Sequence, residues 1–315
     1  MAWTAVTCPQ CGAPLPRVAI WRSVTCASCG SLIHRSETLV KRETFRQALA
    51  RAGHAYDGNA GHGILCAGQR YHLVQSLGSG DFSQVYLAQR LGALPFLATI
   101  KLSSASAAPA RYAQEAQILR ELQALDHGTA GAYFSRRLPE VVALGEVEGS
   151  GRQHGLVLRY PTDFWGSLAD LHARFPRGID PRHAVWIWRR LLETLSFIHR
   201  YGWAHQDVRP EHALVNPQDH GVRLISWASA KRGACAQEQA ADLQRSARVV
   251  FVLLSGSTAT STVPKHVPAE LAQLVSQASE DQDFCRAHGA EGLDGLLRAA
   301  ARAAYGPPTF VPLIL

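Results

Sequence analysis

Between residues 71 and 246 several short motifs follow one another in a fixed order, and that order constrains the fold more than any one of them alone. Residues 71–77 alternate as a half-buried strand does. Gly78-Ser-Gly80-Asp-Phe82-Ser83-Gln-Val85-Tyr86 follows, and glycines there let a hairpin backbone approach a ligand closely. A glycine hairpin by itself is a weak signal, because many β-turns look like it. A second apolar strand ends on Lys101, and residues 111–125 have helical spacing and carry Glu115. Leu156-Val157-Leu158-Arg159-Tyr160 reads as another strand, stopped by Pro161. Residues 205–216 read His-Gln-Asp-Val-Arg-Pro-Glu-His-Ala-Leu-Val-Asn. After them, strands at 213–215 and 222–225 flank Asp219-His220-Gly221, a sequence suited to a tight turn.

This succession resembles the protein-kinase superfamily, over nearly all of the chain from Tyr71 onward. The resemblance implies an α+β, bilobal protein-kinase-like fold. Residues 78–85 are similar to G-x-G-x-F-G-x-V, with Ser83 at the third glycine, and 97–101 to the V-A-I-K strand. On that reading Lys101 reaches the α- and β-phosphates of ATP and Glu115 is its partner. Gly78, Gly80, Val85, Ala98, Leu158 and Leu214 are the expected nucleotide contacts, with Leu158 as gatekeeper. Pro161 falls where a backbone N–H would meet the adenine ring, and proline has none to give. Leu119, His205 and Trp227 match a spine joining the two lobes, and Asp242 resembles an aspartate that anchors the catalytic loop from a buried helix.

The polar chemistry departs from the pattern. Residues 205–212 resemble H-R-D-x-K-P-E-N, with Asp207 at the catalytic-base position and His212 in place of the metal-binding asparagine. Residues 222–228 occupy the place of V-K-L-x-D-F-G, and Ser226 replaces its metal-binding aspartate. Gln206 replaces the arginine that receives an activation-loop phosphate. Only about a dozen residues, 229–241, separate the Ser226 site from Asp242, with no A-P-E motif among them. The resemblance thus implies a pocket that still suits ATP or another nucleotide, while support for Mg2+ is missing and Asp207 is vestigial.

Ahead of these motifs, Cys8-Pro-Gln-Cys11-Gly and Cys26-Ala-Ser-Cys29-Gly form two C-x-x-C-G knuckles. Four thiolates at this spacing suit tetrahedral Zn2+, in a site closed by cysteine and therefore structural. The segment resembles a zinc ribbon, with short strands expected at 18–21 and 23–25. Cys66, Cys235 and Cys285 have no paired spacing and read as isolated thiols. A helix is expected at 37–52 and a glycine-rich loop at 54–68. The expected domains are a zinc ribbon at 1–36, a helix and linker at 37–69, an N-lobe at 70–161 and a C-lobe at 162–315 with helices near 268–278 and 291–304.

Composition narrows the function classes. The 315 residues are 47% hydrophobic, enough for a sizeable core. The longest apolar run, 249–254, is far below the roughly 20 residues of a membrane span. Residues 2–7 are interrupted at once by Cys8-Pro-Gln, unlike a secretion signal, so a cytoplasmic protein with no membrane role is expected. Low methionine with high alanine and arginine points to a GC-rich bacterial source. Net charge is +7, and residues 1–70 hold eight basic against three acidic side chains. The leading expectation is a pseudokinase acting as a scaffold or regulatory module for another protein. The alternatives are a divergent active Ser/Thr kinase, and a nucleic-acid role for the basic ribbon segment 1–70.

Overall fold

The computed structural model describes residues 63–315 apart from 81, 93–95, 126–133, 135–136, 150–151, 162–163, 218–219 and 257–261, and before them four two-residue strands. β1 (Val6–Thr7) pairs antiparallel with β2 (Pro14–Leu15), and β3 (Val24–Thr25) with β4 (Leu32–Ile33). Cys8 and Cys11 fall in sequence between the strands of the first pair, and Cys26 and Cys29 between those of the second. All four lie outside the described residues, as do the strand expected at 18–21, the helix at 37–52 and Asp219. The chain divides into two compact units: Gln47–Asp163 with Ile225–Ser229, and Met1–Arg46 with Phe164–Leu224 and Ala230–Leu315.

The first unit is built on a six-stranded antiparallel sheet in the order β5-β6-β7-β8-β10-β9. Its strands are β5 (Gly63–Cys66), β6 (Gln69–Ser79), β7 (Gln84–Arg90), β8 (Phe96–Ser103), β9 (Val141–Glu146) and β10 (His154–Arg159). Along β8 burial alternates from Leu97 to Leu102, as a pleated strand with two unlike faces requires. One face supplies a dry cluster of Cys66, Tyr71, Ala88, Ala98, Ile100, Leu102, Val147 and Val157. Gly155 is needed there, because a Cβ would stand 2.7 Å from the Cys66 sulfur. The linker expected up to residue 69 is corrected: Gly63–Cys66 is an edge strand returning through Ala67 and Gly68, both at positive φ, into β6. Gly63 opens the edge strand and Gly68 sits in the turn that follows it, a turn chemistry that reads like a loop in sequence. Helix α1 (Ala108–Gln123) begins on Pro109 and buries Tyr112, Glu115, Ala116 and Leu119.

The second unit is helical: α2 (Leu168–Arg174), α3 (Pro181–Arg200), α4 (Ala236–Ser255), α5 (Ala269–Glu280) and α6 (Gln282–Tyr305), the last kinked at Gly289. α3 starts on an Asp180 cap and is buried along most of its length, so its polar groups need partners. Trp188 Nε1 donates to Ser246 Oγ at 3.1 Å, and buried Arg190 donates to Glu193 at 2.7 Å. α4 ends on Gly256 at φ 67°, a left-handed cap. A Cβ there would collide with the carbonyl of Pro176, and one on Gly178 with that of Leu254. Short strands complete the unit: β11 (Gly166–Ser167), β13 (Ala213–Val215) and β14 (Val222–Leu224) form one sheet, and β12 (Trp203–Ala204) pairs with β15 (Lys231–Arg232). The two helices expected near the end of the chain are present as α5 and α6. Among the described residues no helix is long and apolar enough to cross a membrane, and Cys66, Cys235 and Cys285 are free thiols.

Candidate functional site

The sheet unit brings together part of the expected nucleotide set. The register pairs Gly78 with Val85, Val85 with Lys101, and Lys101 with Leu156, a row across four strands. Lys101 Nζ lies 2.6 and 2.8 Å from the two carboxylate oxygens of Glu115 on α1. The Glu115 side chain is 3% exposed and that of Lys101 14%, so this is a buried, charge-assisted pair. Glu115 Oε1 also accepts from the Trp227 amide at 3.1 Å, which ties the residue after Ser226 to α1. Sequence reasoning missed that contact, because a backbone donor leaves no residue-type signal.

Ala98 is a correction. It was expected as a nucleotide contact, but it is fully buried in the apolar cluster on the sheet face opposite Lys101. Residues three apart on a strand face opposite sides, so the residue sharing the Lys101 face is Thr99, paired across the sheet with Leu158. The expectation was displaced by one residue. Leu158, buried on β10, and Val85 lie on the Lys101 face.

The helical unit carries the loop. Asp242 on α4 has no exposed surface and accepts from the amides of His205 at 2.6 Å and Gln206 at 2.8 Å. His199 Nε2 lies 3.3 Å from the same carboxylate. This grip holds Gln206 at φ 67°, a left-handed conformation that a non-glycine residue adopts only when its surroundings enforce it. Asp207 does not project free of its loop. His212 Nδ1 lies 3.1 Å from Asp207 Oδ2 and 3.0 Å from the Asp207 carbonyl oxygen, and Arg209 Nε lies 3.3 Å from Oδ1. Arg209 Nη2 is 3.2 Å from His212 Nε2. Arg209 Nε also lies 3.1 Å from His212 Nδ1, so the imidazole is held between the Asp207 carboxylate and the guanidinium. Leu214 sits on β13, next to this loop.

From Ser226, itself at φ 65°, the chain reaches α4 within ten residues through one 3-10 turn, Trp227–Ser229, and β15. Glu238 closes the segment by accepting from Lys231 Nζ at 2.7 Å and from the Cys235 amide at 2.9 Å. Those bonds, the lysine first, hold the Glu238 carboxyl at about 2. Among the described residues no group of three or more His, Cys, Asp or Glu side chains is placed to hold a metal ion.

Residues 71–248 match the protein kinase domain model. The chain belongs to the protein kinase domain family. It is similar to CBL-interacting protein kinase 4 of Oryza sativa subsp. japonica, 30% identical over 150 residues that cover 47% of this chain and 30% of that protein. It is similar also to serine/threonine-protein kinase D of Synechocystis sp., 27% identical over 164 residues, 51% of this chain and 30% of that one. The matched segment spans about a third of each of these relatives. The Lys101–Glu115 pair and the Asp242 anchor, both implied by the sequence resemblance, are contacts present in this structure.

Proposed function

We propose that this chain is a pseudokinase, a kinase domain used to bind and organise rather than to transfer phosphate. The observation that carries the reading is the closed triangle of Asp207, His212 and Arg209, in which the base-position carboxylate is already taken. Magnesium demands hard oxygen ligands in near-octahedral geometry. His212 offers an imidazole engaged with Asp207, and Ser226 a neutral hydroxyl, so the donors present do not fit the ion. Phosphoryl transfer depends on neutralising and aligning phosphate charge, and each lost electrostatic group costs roughly 100- to 1000-fold in rate.

The surface retained for binding is the face of β7, β8 and β10 that carries Val85, Thr99, Lys101 and Leu158, with the glycine-rich turn beside it. That face suits a nucleotide held without metal, and the partner expected for the whole chain is another protein. Residues 1–36 are read as a structural zinc ribbon. The support is that each C-x-x-C pair lies in sequence between two paired strands, the arrangement a zinc knuckle needs.

Titrating ATP with and without magnesium while following Tm tests the reading. A shift that is the same in EDTA agrees with it, and a large shift that strictly needs magnesium overturns it. The preserved Lys101–Glu115 pair favours one second reading, a divergent active kinase. Labelled-phosphate transfer abolished in both Lys101→Met and Asp207→Asn would establish that reading in place of the first.

A further inference from the structure

The glycine-rich turn carries a contact that the kinase pattern would not supply. Ser83 stands at its third glycine position, and the Ser83 hydroxyl accepts a 2.7 Å hydrogen bond from the Tyr112 phenol on α1. The preceding Phe82 meets the Tyr112 ring edge-on, with centroids 5.8 Å apart, and the Arg111 guanidinium lies 4.4 Å over the Phe82 ring. The turn closes on itself through Gly80 N–H donating to Ser83 O at 2.9 Å. Three kinds of contact therefore fasten one short turn to one turn of helix.

Tyr112 is 2% exposed, and burial pushes its phenol up from the ordinary value. A buried phenol needs a hydrogen-bond partner. Here the partner is on the turn and not on α1's own scaffold, so lifting the turn strands the phenol in the core. Arg111 and Tyr112 lie four and three residues before Glu115, next to it along the helix surface. Whatever fixes that stretch of α1 fixes the carboxylate that holds Lys101 and the Trp227 amide.

We propose that Ser83, Phe82 and Tyr112 form a clasp that holds Glu115 on Lys101 with no nucleotide bound, which makes Ser83 and Tyr112 positioning residues for that pair. In a glycine-rich turn with glycine at position 83 the turn would be free to ride over a ligand. With serine it is a strut, and the ion pair becomes a standing feature of the unit. The proposal builds on the reading of Lys101 as the nucleotide-facing residue, but its test uses no nucleotide, so either can fail alone.

The test is the rate at which a small acetylating reagent modifies Lys101 in the full chain, read by mass spectrometry, with exposed Lys265 as the internal control. In Ser83→Ala and Tyr112→Phe, Lys101 should react roughly 3- to 10-fold faster, the change in opening equilibrium that loss of one hydrogen bond gives. The double variant should match the singles, because both remove the same bond. Ser83→Thr, which keeps the hydroxyl, should stay at the wild-type rate. A Lys101 rate within twofold of wild type in both singles overturns the proposal. So do additive effects in the double variant, or a Ser83→Thr rate equal to that of Ser83→Ala.

Discussion

Asp242 gathers two backbone amides and a histidine around a carboxylate with no access to water, so its removal has a large and local cost. Asp242→Ala strands the His205 and Gln206 donors and releases the enforced left-handed backbone at Gln206. The expected loss is about 2–6 kcal/mol, at roughly 1–3 kcal/mol for each of the two buried donors left unmade, measured by urea unfolding. A second buried group sets the response to acid. His183 Nδ1 and His220 Nε2 lie 3.0 Å apart in the helical unit, with Trp186 stacked on His220 and Phe310 tilted against it. Burial, then the neighbouring His183 and Arg190, depresses His220 to about 3, and burial also lowers His183 against the pull of Asp180. The unfolded imidazoles take up protons below about 6.5 while the folded pair does not. Stability should therefore be full above that pH, fall as pH drops toward 3, and fall less steeply in His220→Phe. Equilibrium unfolding at a series of pH values checks the slope. These histidines carry no pattern in sequence, because 37 residues separate them and only packing makes them a pair.

β8 and α4 illustrate how far an element's own sequence reaches. The strand was legible from its apolar run, but which side each residue faces depends on register, and an error of one residue reverses the face. That is why Ala98 was misplaced, while Lys101 is marked by its charge within an apolar strand. α4 was legible at Asp242, and its end at Gly256 is dictated by a neighbour. Gly256 and Gly178 sit where Pro176 and Leu254 carbonyls leave no room for a Cβ, and both have positive φ. Gly256→Ala should destabilise the helical unit by more than the roughly 1 kcal/mol that glycine-to-alanine changes usually move, since strain and collision add. The drop in urea midpoint at unchanged slope measures it. An effect below about 0.5 kcal/mol would mean that the loop at 176–178 gives way easily.

At the scale of the whole molecule, a kinase domain with its ion pair and loop anchor in place is joined to a cysteine-rich segment, with His212 and Ser226 where the resemblance implies metal donors. If the ribbon holds zinc, a chelator should release one metal ion per chain, counted with a chromophoric indicator, and unfold 1–36 while the main melting transition of the kinase domain keeps its Tm. If no zinc is released under denaturing conditions, the ribbon reading is lost. His212→Asn with Ser226→Asp restores both donors that the family pattern has. Magnesium-dependent stabilisation by ATP should appear in that double variant, because both positions then offer the hard oxygen donors that magnesium prefers.

The order of the motifs from Gly78 to Asp242 determined the family without coordinates, because glycine, lysine and acidic residues at those intervals serve one arrangement of strands, helix and loop. The substitutions at His212 and Ser226 were equally plain, being changes of residue type at named places. Tertiary structure alone decided where those residues spend their hydrogen-bonding capacity: His212 on Asp207, Trp227's amide on Glu115, Ser83 on Tyr112. Such pairings depend on distances between segments far apart in the chain and on backbone groups common to every residue, so no one-dimensional pattern records them.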